Sequence, residues 1–136
     1  MLERITPPFT EASARQSVQN AEDAWNRRVA DDIPGDYTVD TKWRYKDVFL
    51  EGRDNIVPFL DARWPLQQEY RLKKELWSFG DTRISVRFVS EWRHRDSGQW
   101  YRTFGNEHWE FAEDGLMSVQ DISANDMEIK KSERTL

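Results

Sequence analysis

The chain has 136 residues, a net charge of −5 and no cysteine, which excludes disulfides, thiolate metal sites and a cysteine nucleophile. Its length suits one domain over residues 1–136, and 38% hydrophobic with 33% charged residues is typical of a globular protein. The acidic balance argues against a nucleic-acid partner, and no signal-peptide or membrane-spanning pattern occurs, so we expect a cytoplasmic protein with no membrane partner.

The first predicted element is a helix that begins after Thr10. Thr10 is a favoured N-cap residue, and Phe9 before it can pack onto the first turns as a hydrophobic staple. One stripe of the helix is apolar at spacings of four, three and four residues, which predicts that this face is buried. The stripe consists of Ala14, Val18, Ala21 and Trp25.

Three shorter elements follow. Residues 31–37 are predicted to form a short second helix or turn, and residues 41–47 a strand with Trp43 and Tyr45 facing inward. A third helix is predicted to end at Pro65, because proline disfavours helical conformation in the residue before it. Its apolar stripe is Ile56, Phe59, Leu60 and Trp64.

The second half of the chain alternates between apolar and polar residues, which predicts a four-stranded antiparallel meander. Its last three strands are predicted at Arg83–His94, Trp100–Phe111 and Leu116–Ser123. Turns are predicted at Gly80-Asp81-Thr82 and at Glu113-Asp114-Gly115, with Gly115 in the left-handed conformation. The first of these turns pairs Lys74 with Phe88 and Tyr70 with Trp92. The charged tail from Met127 is predicted to be frayed.

The register between the two central strands has two candidates. The burial pattern favours an even loop that puts Val86 opposite Trp109, and by the same offset Phe88 opposite Glu107, Ser90 opposite Gly105 and Trp92 opposite Thr103. A three-residue loop at Asp96-Ser97-Gly98 favours a slip by one residue, which would turn the apolar side chains outward. We follow the burial pattern.

The turn at Glu113-Asp114-Gly115 pairs Phe111 with Met117 and, by the same offset, Glu107 with Asp121 on the inner face. Two ionised carboxylates at that spacing repel each other, so the pair is predicted to hold a proton near neutral pH and to act as a catalytic acid–base dyad. The alternative is that Lys74 or an arginine neutralises the pair, which is then structural. The neighbouring row of mostly small residues, Leu72, Ser90, Gly105 and Ser123, predicts a hollow beside the dyad.

The predicted hollow is lined by aromatic and a few polar side chains, which is typical of small-molecule pockets. The candidate ligand-binding residues are Trp43, Tyr45, Tyr70, Lys74, Phe88, Ser90, Trp92, Trp109 and Ser123. This lining suits a small apolar molecule such as a lactone, an epoxide or an enolisable ketone, and no metal site is predicted. The alternatives are a non-catalytic ligand-binding or assembly module, and a structural dimer whose own aromatic residues fill the hollow.

The outer face of the meander is largely polar, but it also carries Val89 and Phe104. These two residues suit a homodimer contact through the outer sheet face, and an ordinary solvated face is the alternative.

The order of elements resembles the nuclear transport factor 2-like superfamily, also called SnoaL-like. The resemblance rests on Trp25-Asn26-Arg27, on Phe49-Leu50-Glu51-Gly52-Arg53 with Ile56, and on Gly105 to Phe111 with Gly115-Leu116-Met117. The run Gly-Asn-Glu-x-Trp-Glu-Phe is similar to that of an uncharacterised SnoaL-like branch.

The resemblance implies an α+β, cone-shaped fold with three N-terminal helices on a curved, mixed but mostly antiparallel sheet. The superfamily includes isomerases, dehydratases, cyclases, epoxide hydrolases and non-catalytic binding modules. Its enzymes typically use carboxylates inside the cone without a metal or an organic cofactor, and Glu107 and Asp121 occupy that type of position. The segments around Pro34-Gly35 and Pro65 depart from the pattern, so no particular substrate transfers with the fold.

Overall fold

A computed structural model describes residues 4–136 of the chain. These residues contain two α-helices and six strands: α1 (Glu11–Arg27), β1 (Tyr37–Tyr45), β2 (Val48–Glu51), α2 (Ile56–Arg63), β3 (Gln67–Phe79), β4 (Arg83–His94), β5 (Trp100–Phe111) and β6 (Met117–Ile129). The strands form one sheet in the order β2-β1-β6-β5-β4-β3, in which only β1 and β6 are parallel. Neither helix of this part is long and apolar enough to cross a membrane.

The mixed, mostly antiparallel sheet is as predicted, but the three N-terminal helices are not. The predicted second helix is two 3-10 turns of three residues each, Ala30–Asp32 and Pro34–Asp36. The predicted third helix is α2 with a 3-10 turn on either side; α2 ends at Arg63, two residues before Pro65, which lies in the second of these turns. Proline and Gly35 shorten these segments because neither residue supports a continuous α-helix.

Helix α1 begins where the sequence predicts it. The Thr10 hydroxyl accepts a hydrogen bond from the Ser13 amide at 3.1 Å, and the Ser13 hydroxyl accepts one from the Thr10 amide at 2.9 Å. This reciprocal capping satisfies amides that would otherwise lack a partner at the helix N-terminus. The predicted stripe packs into the core, with Ala14 and Val18 buried and Trp25 packed against them.

Helix α1 also covers the exposed edge of the sheet. The Asn26 amide donates to the Leu72 carbonyl and accepts from the Leu72 amide, both at 2.9 Å, so it pairs with β3 as a further strand would. One turn earlier, the Glu22 carboxylate accepts from the Lys74 amide at 2.7 Å. These contacts fix the helix on β3 and satisfy backbone groups of an edge strand.

Strands β4 and β5 pair with a register that differs by two residues from the predicted one. Each residue of β4 lies opposite a partner two positions earlier in β5, so that Val86 faces Glu107 and Phe88 faces Gly105. The prediction of these pairs is therefore wrong, and so is the alternative slip by one. A shift of two residues keeps every side chain on the predicted face, because the side-chain period of a strand is two.

The connection between these strands explains the shift. The loop has four residues, Arg95 to Gly98, and its ends are joined by a hydrogen bond from the His94 amide to the Gln99 carbonyl at 2.8 Å. Gly98 has φ +74°, which glycine adopts without strain. The periodic pattern alone does not distinguish this loop from one that is two residues longer.

A β-bulge changes the register between β5 and β6. Phe111 pairs with Met117 as predicted, but Glu110 already pairs with Val119, so Ser118 is an extra residue in β6. Beyond the bulge every β6 residue is displaced by one relative to the prediction. A displacement of one reverses which side chains face inward.

Strand β1 holds this bulge in place. The hydroxyl of Thr41, which is fully buried, lies 3.1 Å from the Met117 carbonyl and 3.3 Å from the Ser118 carbonyl. The one hydroxyl proton of Thr41 is shared between these two carbonyl groups, so the neighbouring parallel strand holds the bulge by a bifurcated hydrogen bond.

The C-terminal segment is ordered against the outer sheet face, so the predicted frayed tail is wrong. Strand β6 continues to Ile129, which is buried, and Glu91 on β4 accepts hydrogen bonds from the Thr135 and Leu136 amides at 3.0 and 2.8 Å. Arg102 also contacts the Glu91 carboxylate at 2.7 Å. Burial works to raise the pKa of Glu91, but the Leu136 and Thr135 amides and Arg102 outweigh it and lower the pKa below its ordinary value.

We expect Glu91→Gln to lower the free energy of unfolding at pH 7 by about 2 kcal/mol, because charge-assisted hydrogen bonds to a buried carboxylate are lost. The carboxylate stabilises the fold fully above its ordinary pKa of 4.5, and this stabilisation is lost as the pH falls through the lower folded-state pKa. Urea unfolding between pH 7 and pH 3 should therefore show the difference between wild type and variant shrinking in acid.

Glu110→Gln is the matched control, because its pair with Arg83 also involves β4 and β5 but is exposed. Exposed ion pairs contribute only about 0–1 kcal/mol, so this variant should differ little from wild type. An equal loss of stability in both variants would contradict the role assigned to Glu91.

Candidate functional site

A cavity of about 240 Å³ opens between the inner face of the sheet, α2 and the end of α1. Seven of the residues predicted for the site line it: Tyr45, Tyr70, Lys74, Phe88, Ser90, Trp92 and Glu107. The pattern of alternation places these residues on the correct face, and the cavity is the space that α2 and the end of α1 leave unfilled above that face.

Other lining residues were not among the predicted site residues. They come mainly from the helices, the loops and the far end of β6: Trp25, Lys46, Phe59, Arg63, Trp64, Gln67, His94, Thr103, Ile122 and Asp126. Trp25, Phe59 and Trp64 belong to the apolar stripes of the predicted helices, so the sequence does indicate that they face inward. The sequence does not indicate that Asp126 faces inward, because its direction depends on the bulge at Ser118.

Two predicted wall residues lie in the core instead of the cavity. Trp43 is buried between the rings of Tyr37 and Trp25, with ring centroids at 4.9 and 5.9 Å. Trp109 is also buried, and its indole N–H donates to Glu107 at 3.0 Å. Both tryptophans therefore pack against residues of the cavity wall without lining the cavity. Trp43 contacts the wall residues Trp25 and Phe59, and Trp109 lies in the row of the sheet next to Glu107.

The predicted dyad does not form. Glu107 lies opposite Ile122, and Asp121 lies opposite His108 on the outer face, where it forms an ion pair with Arg44. The bulge is the physical reason, because it displaces β6 by one residue and turns Asp121 outward. The basis for a catalytic role of Asp121 is thereby removed.

Ser123 is turned outward by the same displacement. Its hydroxyl accepts a hydrogen bond from Arg44 at 2.7 Å and does not line the cavity. The other small residue of the predicted hollow, Gly105, does face inward, but the space above it is filled by the Phe88 ring. The hollow exists, and it lies above Ser90 and Thr103 rather than above Gly105.

Glu107 is the acidic residue at the base of the cavity, with 2% of its side chain exposed. One carboxylate oxygen accepts from the Trp109 indole and the other contacts the Lys74 ammonium group. The alternative in which Lys74 neutralises the carboxylate is thus the arrangement that the structure contains. The position of the carboxylate is fixed on both sides, and it still lines the cavity.

Lys74 is held as firmly as its partner. Its backbone amide donates to Glu22 of α1, and its ammonium group lies 5.2 Å from the ring centroid of Phe88 and 5.6 Å from that of Trp109. Aromatic faces stabilise a cation that has lost water, which adds to the attraction of Glu107. The cavity floor is therefore a desolvated ion pair inside an aromatic frame.

A second polar chain crosses the cavity nearer its mouth. The Trp92 indole donates to the Thr103 hydroxyl at 3.0 Å, and this hydroxyl donates to Asp126 at 2.6 Å. The other Asp126 oxygen pairs with Lys46 at 3.1 Å. Each polar atom of this chain has a partner, so it fixes the mouth in one arrangement.

Two tyrosines of the wall are neutral hydrogen-bonding groups at physiological pH. Burial raises the pKa of Tyr70 to about 12 and also raises the pKa of Tyr45 above its ordinary value. Their hydroxyl groups therefore stay protonated and can orient a polar group of a ligand.

The outer sheet face carries exposed aromatic side chains. Phe104 is 40% exposed opposite Val89, and Trp77 is 62% exposed. These residues are compatible with the predicted homodimer through this face, which stays a prediction.

Solved structures with a similar fold support an assignment by architecture. An epoxide hydrolase/cyclase-like enzyme, SalBIII, with a role in pyran ring formation in the polyether salinomycin, is 12% identical, with a TM-score of 0.73 over 85% of this chain and 92% of that chain. A nuclear transport factor 2-like protein of unknown function from Burkholderia pseudomallei K96243 is 18% identical, with a TM-score of 0.73 over 82% and 90% of the two chains. A nuclear transport factor 2-like protein of unknown function from Exiguobacterium sp. 255-15 is 14% identical, with a TM-score of 0.67 over 84% of this chain and 99% of that chain.

The protein therefore has the nuclear transport factor 2-like fold, as the sequence resemblance implies. No curated protein matches the sequence. Residues 7–136 match the model of a protein family of unknown function, DUF1348, and the chain belongs to that family.

We expect Gly105→Ala to destabilise the protein by about 1–3 kcal/mol and to narrow the cavity, because a Cβ atom at this position would overlap the Phe88 ring and force it to move. Thermal unfolding measures the first effect, and displacement of a bound hydrophobic dye measures the second. Gly80→Ala is the control, since a Cβ there meets nothing within 4 Å. Equal stability and dye binding in both variants would contradict the close contact.

Proposed function

We propose that the cavity binds a small, largely apolar molecule and that Glu107 exchanges a proton with it. The observation that carries the proposal is a buried carboxylate in the wall of a mostly apolar cavity, held by Trp109 and Lys74. A base that is fixed and shielded from water acts on a bound substrate without first reorganising. The proposed class is an acid–base enzyme of the isomerase, hydrolase or dehydratase type that needs no cofactor.

Lys74 has a defined part in this proposal. When a base removes a proton from carbon next to a carbonyl group, the electron pair moves onto the carbonyl oxygen. The Lys74 ammonium group lies beside the base and can stabilise that negative charge. If a carbon–carbon double bond is conjugated with the enolate, return of the proton from Glu107 to its far carbon gives an isomer. If the next carbon carries a hydroxyl group, the electron pair returns from oxygen to form the new double bond, and the hydroxyl group takes the proton from Glu107 and leaves as water.

The neighbouring solved structures support only the fold at their low identities. One of them is an epoxide hydrolase/cyclase-like enzyme, which is a chemistry compatible with a carboxylate inside the cone.

The second candidate function is a non-catalytic ligand-binding module. It is favoured by the Lys74–Glu107 pair itself, because two opposite charges that satisfy each other are also what a purely structural buried ion pair looks like. The two functions differ in whether Glu107 changes a bound molecule.

Hydrogen–deuterium exchange at carbon tests the proposal without knowledge of the product. Small ketones such as cyclohexanone and 2-hexanone are incubated with the protein in D₂O, and loss of the proton signal beside the carbonyl is followed by NMR. We expect the wild type to accelerate this exchange and Glu107→Gln to reduce the acceleration by about 100-fold or more, since a positioned general base contributes on that order.

Two further variants separate chemistry from folding. Lys74→Met with Glu107→Leu replaces both charges by apolar groups of similar size, which often preserves stability, so this double variant should fold, bind a hydrophobic dye and lack exchange activity. Asp121→Asn should exchange at the wild-type rate, because Asp121 lies on the outer face. Ligand binding with no exchange in the wild type would instead support the binding module.

A further inference from the structure

The charges around the cavity do not balance. Its two carboxylates each have a lysine partner, in the pairs Lys74–Glu107 and Lys46–Asp126. Arg63 also lines the cavity, and within residues 4–136 its guanidinium group has neither a hydrogen bond nor an ion pair. The lining therefore carries a surplus positive charge in a protein whose net charge is −5.

Arg63 is placed to receive a ligand. Its guanidinium carbon lies 4.5 Å from the ring centroid of Phe59 and 5.3 Å from that of Tyr45, and both rings line the cavity. Stacking on aromatic rings holds the planar group by its faces and leaves its N–H edge available. A guanidinium edge matches the two oxygens of a carboxylate.

A second uncompensated cation lies behind the wall. The Arg28 guanidinium carbon lies 3.4 Å from the Tyr70 ring centroid and 4.8 Å from that of Trp64, and one nitrogen donates to Gln67 at 2.9 Å. Its other two nitrogens are buried without a partner among the described residues. Burial lowers the pKa of Arg28 to about 10, so it remains charged at neutral pH.

Because the free nitrogens of Arg28 are buried, this residue contributes a field rather than a direct contact. Three residues that surround it, Trp64, Gln67 and Tyr70, line the cavity. The positive charge of Arg28 close behind the wall favours an anion in the cavity. Without an anion nearby, the buried charge of Arg28 has no compensating negative charge, which is energetically unfavourable.

We infer that the ligand is a small carboxylic acid bound as its anion, with the carboxylate on Arg63 at the mouth and an apolar body directed towards Glu107. The inference rests on the proposed function for the direction of the ligand. Phe88 and Ile122 line the interior and suit the apolar body. The ligand carboxylate is assigned to Arg63 because the Lys74 ammonium group at the floor is already paired with Glu107, whereas the Arg63 guanidinium group has no acidic partner within residues 4–136.

A carboxylate fits this site better than a phosphate. Among the lysine and arginine residues of the described lining, Arg63 alone has no acidic partner, because Lys46 and Lys74 are paired with Asp126 and Glu107. A phosphate dianion would bring two negative charges into a lining whose surplus is one positive charge, so a monoanion matches the charge of the site better. The ligand class is therefore an apolar monocarboxylate.

Matched ligands of equal size test this inference by calorimetry. Hexanoate, hexanamide and hexyl phosphate are titrated into the wild type and into Arg63→Gln, with Arg83→Gln as the control on an exposed arginine of the sheet. We expect hexanoate to bind the wild type at least about tenfold more tightly than hexanamide, and this preference to disappear in Arg63→Gln only. Arg63→Lys, which keeps the charge, should restore part of the preference.

Every other outcome overturns the inference. Equal binding of hexanoate and hexanamide, or binding of neither, shows that no carboxylate site exists. A preference for hexanoate that survives in Arg63→Gln removes the assigned residue, and tighter Arg63-dependent binding of hexyl phosphate assigns the site to phosphate.

The two proposals fail separately. Hexanoate has no ketone, so its binding does not require proton transfer, and the Lys74→Met, Glu107→Leu variant should still prefer it over hexanamide. Arg63-dependent binding without deuterium exchange in ketones would refute only the proposed catalysis. Exchange in neutral ketones without a preference for hexanoate would refute only the carboxylate site.

Discussion

The bulge at Ser118 is the constraint on which the candidate site depends. It is held by the buried Thr41 hydroxyl of β1, and it decides which of the alternating side chains of β6 face the cavity. With the extra residue, Ile122 and Asp126 face inward and Asp121 pairs with Arg44 outside. The cavity floor consequently holds one carboxylate rather than two, and that carboxylate takes a lysine as its partner. A single extra residue in the strand thus selects between a pair of carboxylates and a carboxylate–lysine pair at the cavity floor.

The second constraint is the attachment of α1 to the edge strand. Glu22 and Asn26 of the helix bind backbone groups of Leu72 and Lys74, so the helix both protects the edge and fixes the strand that supplies the lysine. The same helix contributes Trp25 to the cavity wall. Packing, edge protection and site geometry are thereby served by one face of one helix. The C-cap residue of the helix is Arg28, whose guanidinium group stacks on the Tyr70 ring of the cavity wall.

Much of the fold could be predicted from the sequence, because local rules govern it. Capping by Thr10, the apolar stripes of α1 and α2, and the alternation along β4 and β5 each depend on residues close together in the chain. The β3–β4 pairs that follow from the Gly80 turn, such as Lys74 with Phe88, are confirmed. The predicted pair of Tyr70 and Trp92 is interrupted by a bulge at Glu69, whose φ of +54° no local pattern indicates.

The sequence by itself determined which residues of β3, β4 and β5 share the inner face, and hence that Glu107, Lys74 and the aromatic wall belong together. The tertiary structure alone decided the outcome for Asp121, Ser123 and Asp126, and the packing of Trp43 behind the wall rather than in it. The physical reason is that successive side chains of a strand point to opposite faces of the sheet. Which residues share a face can therefore be predicted from neighbouring positions in the sequence. A bulge depends on a hydrogen bond from a strand about 76 residues away, from Thr41 to Met117, and no local period records it.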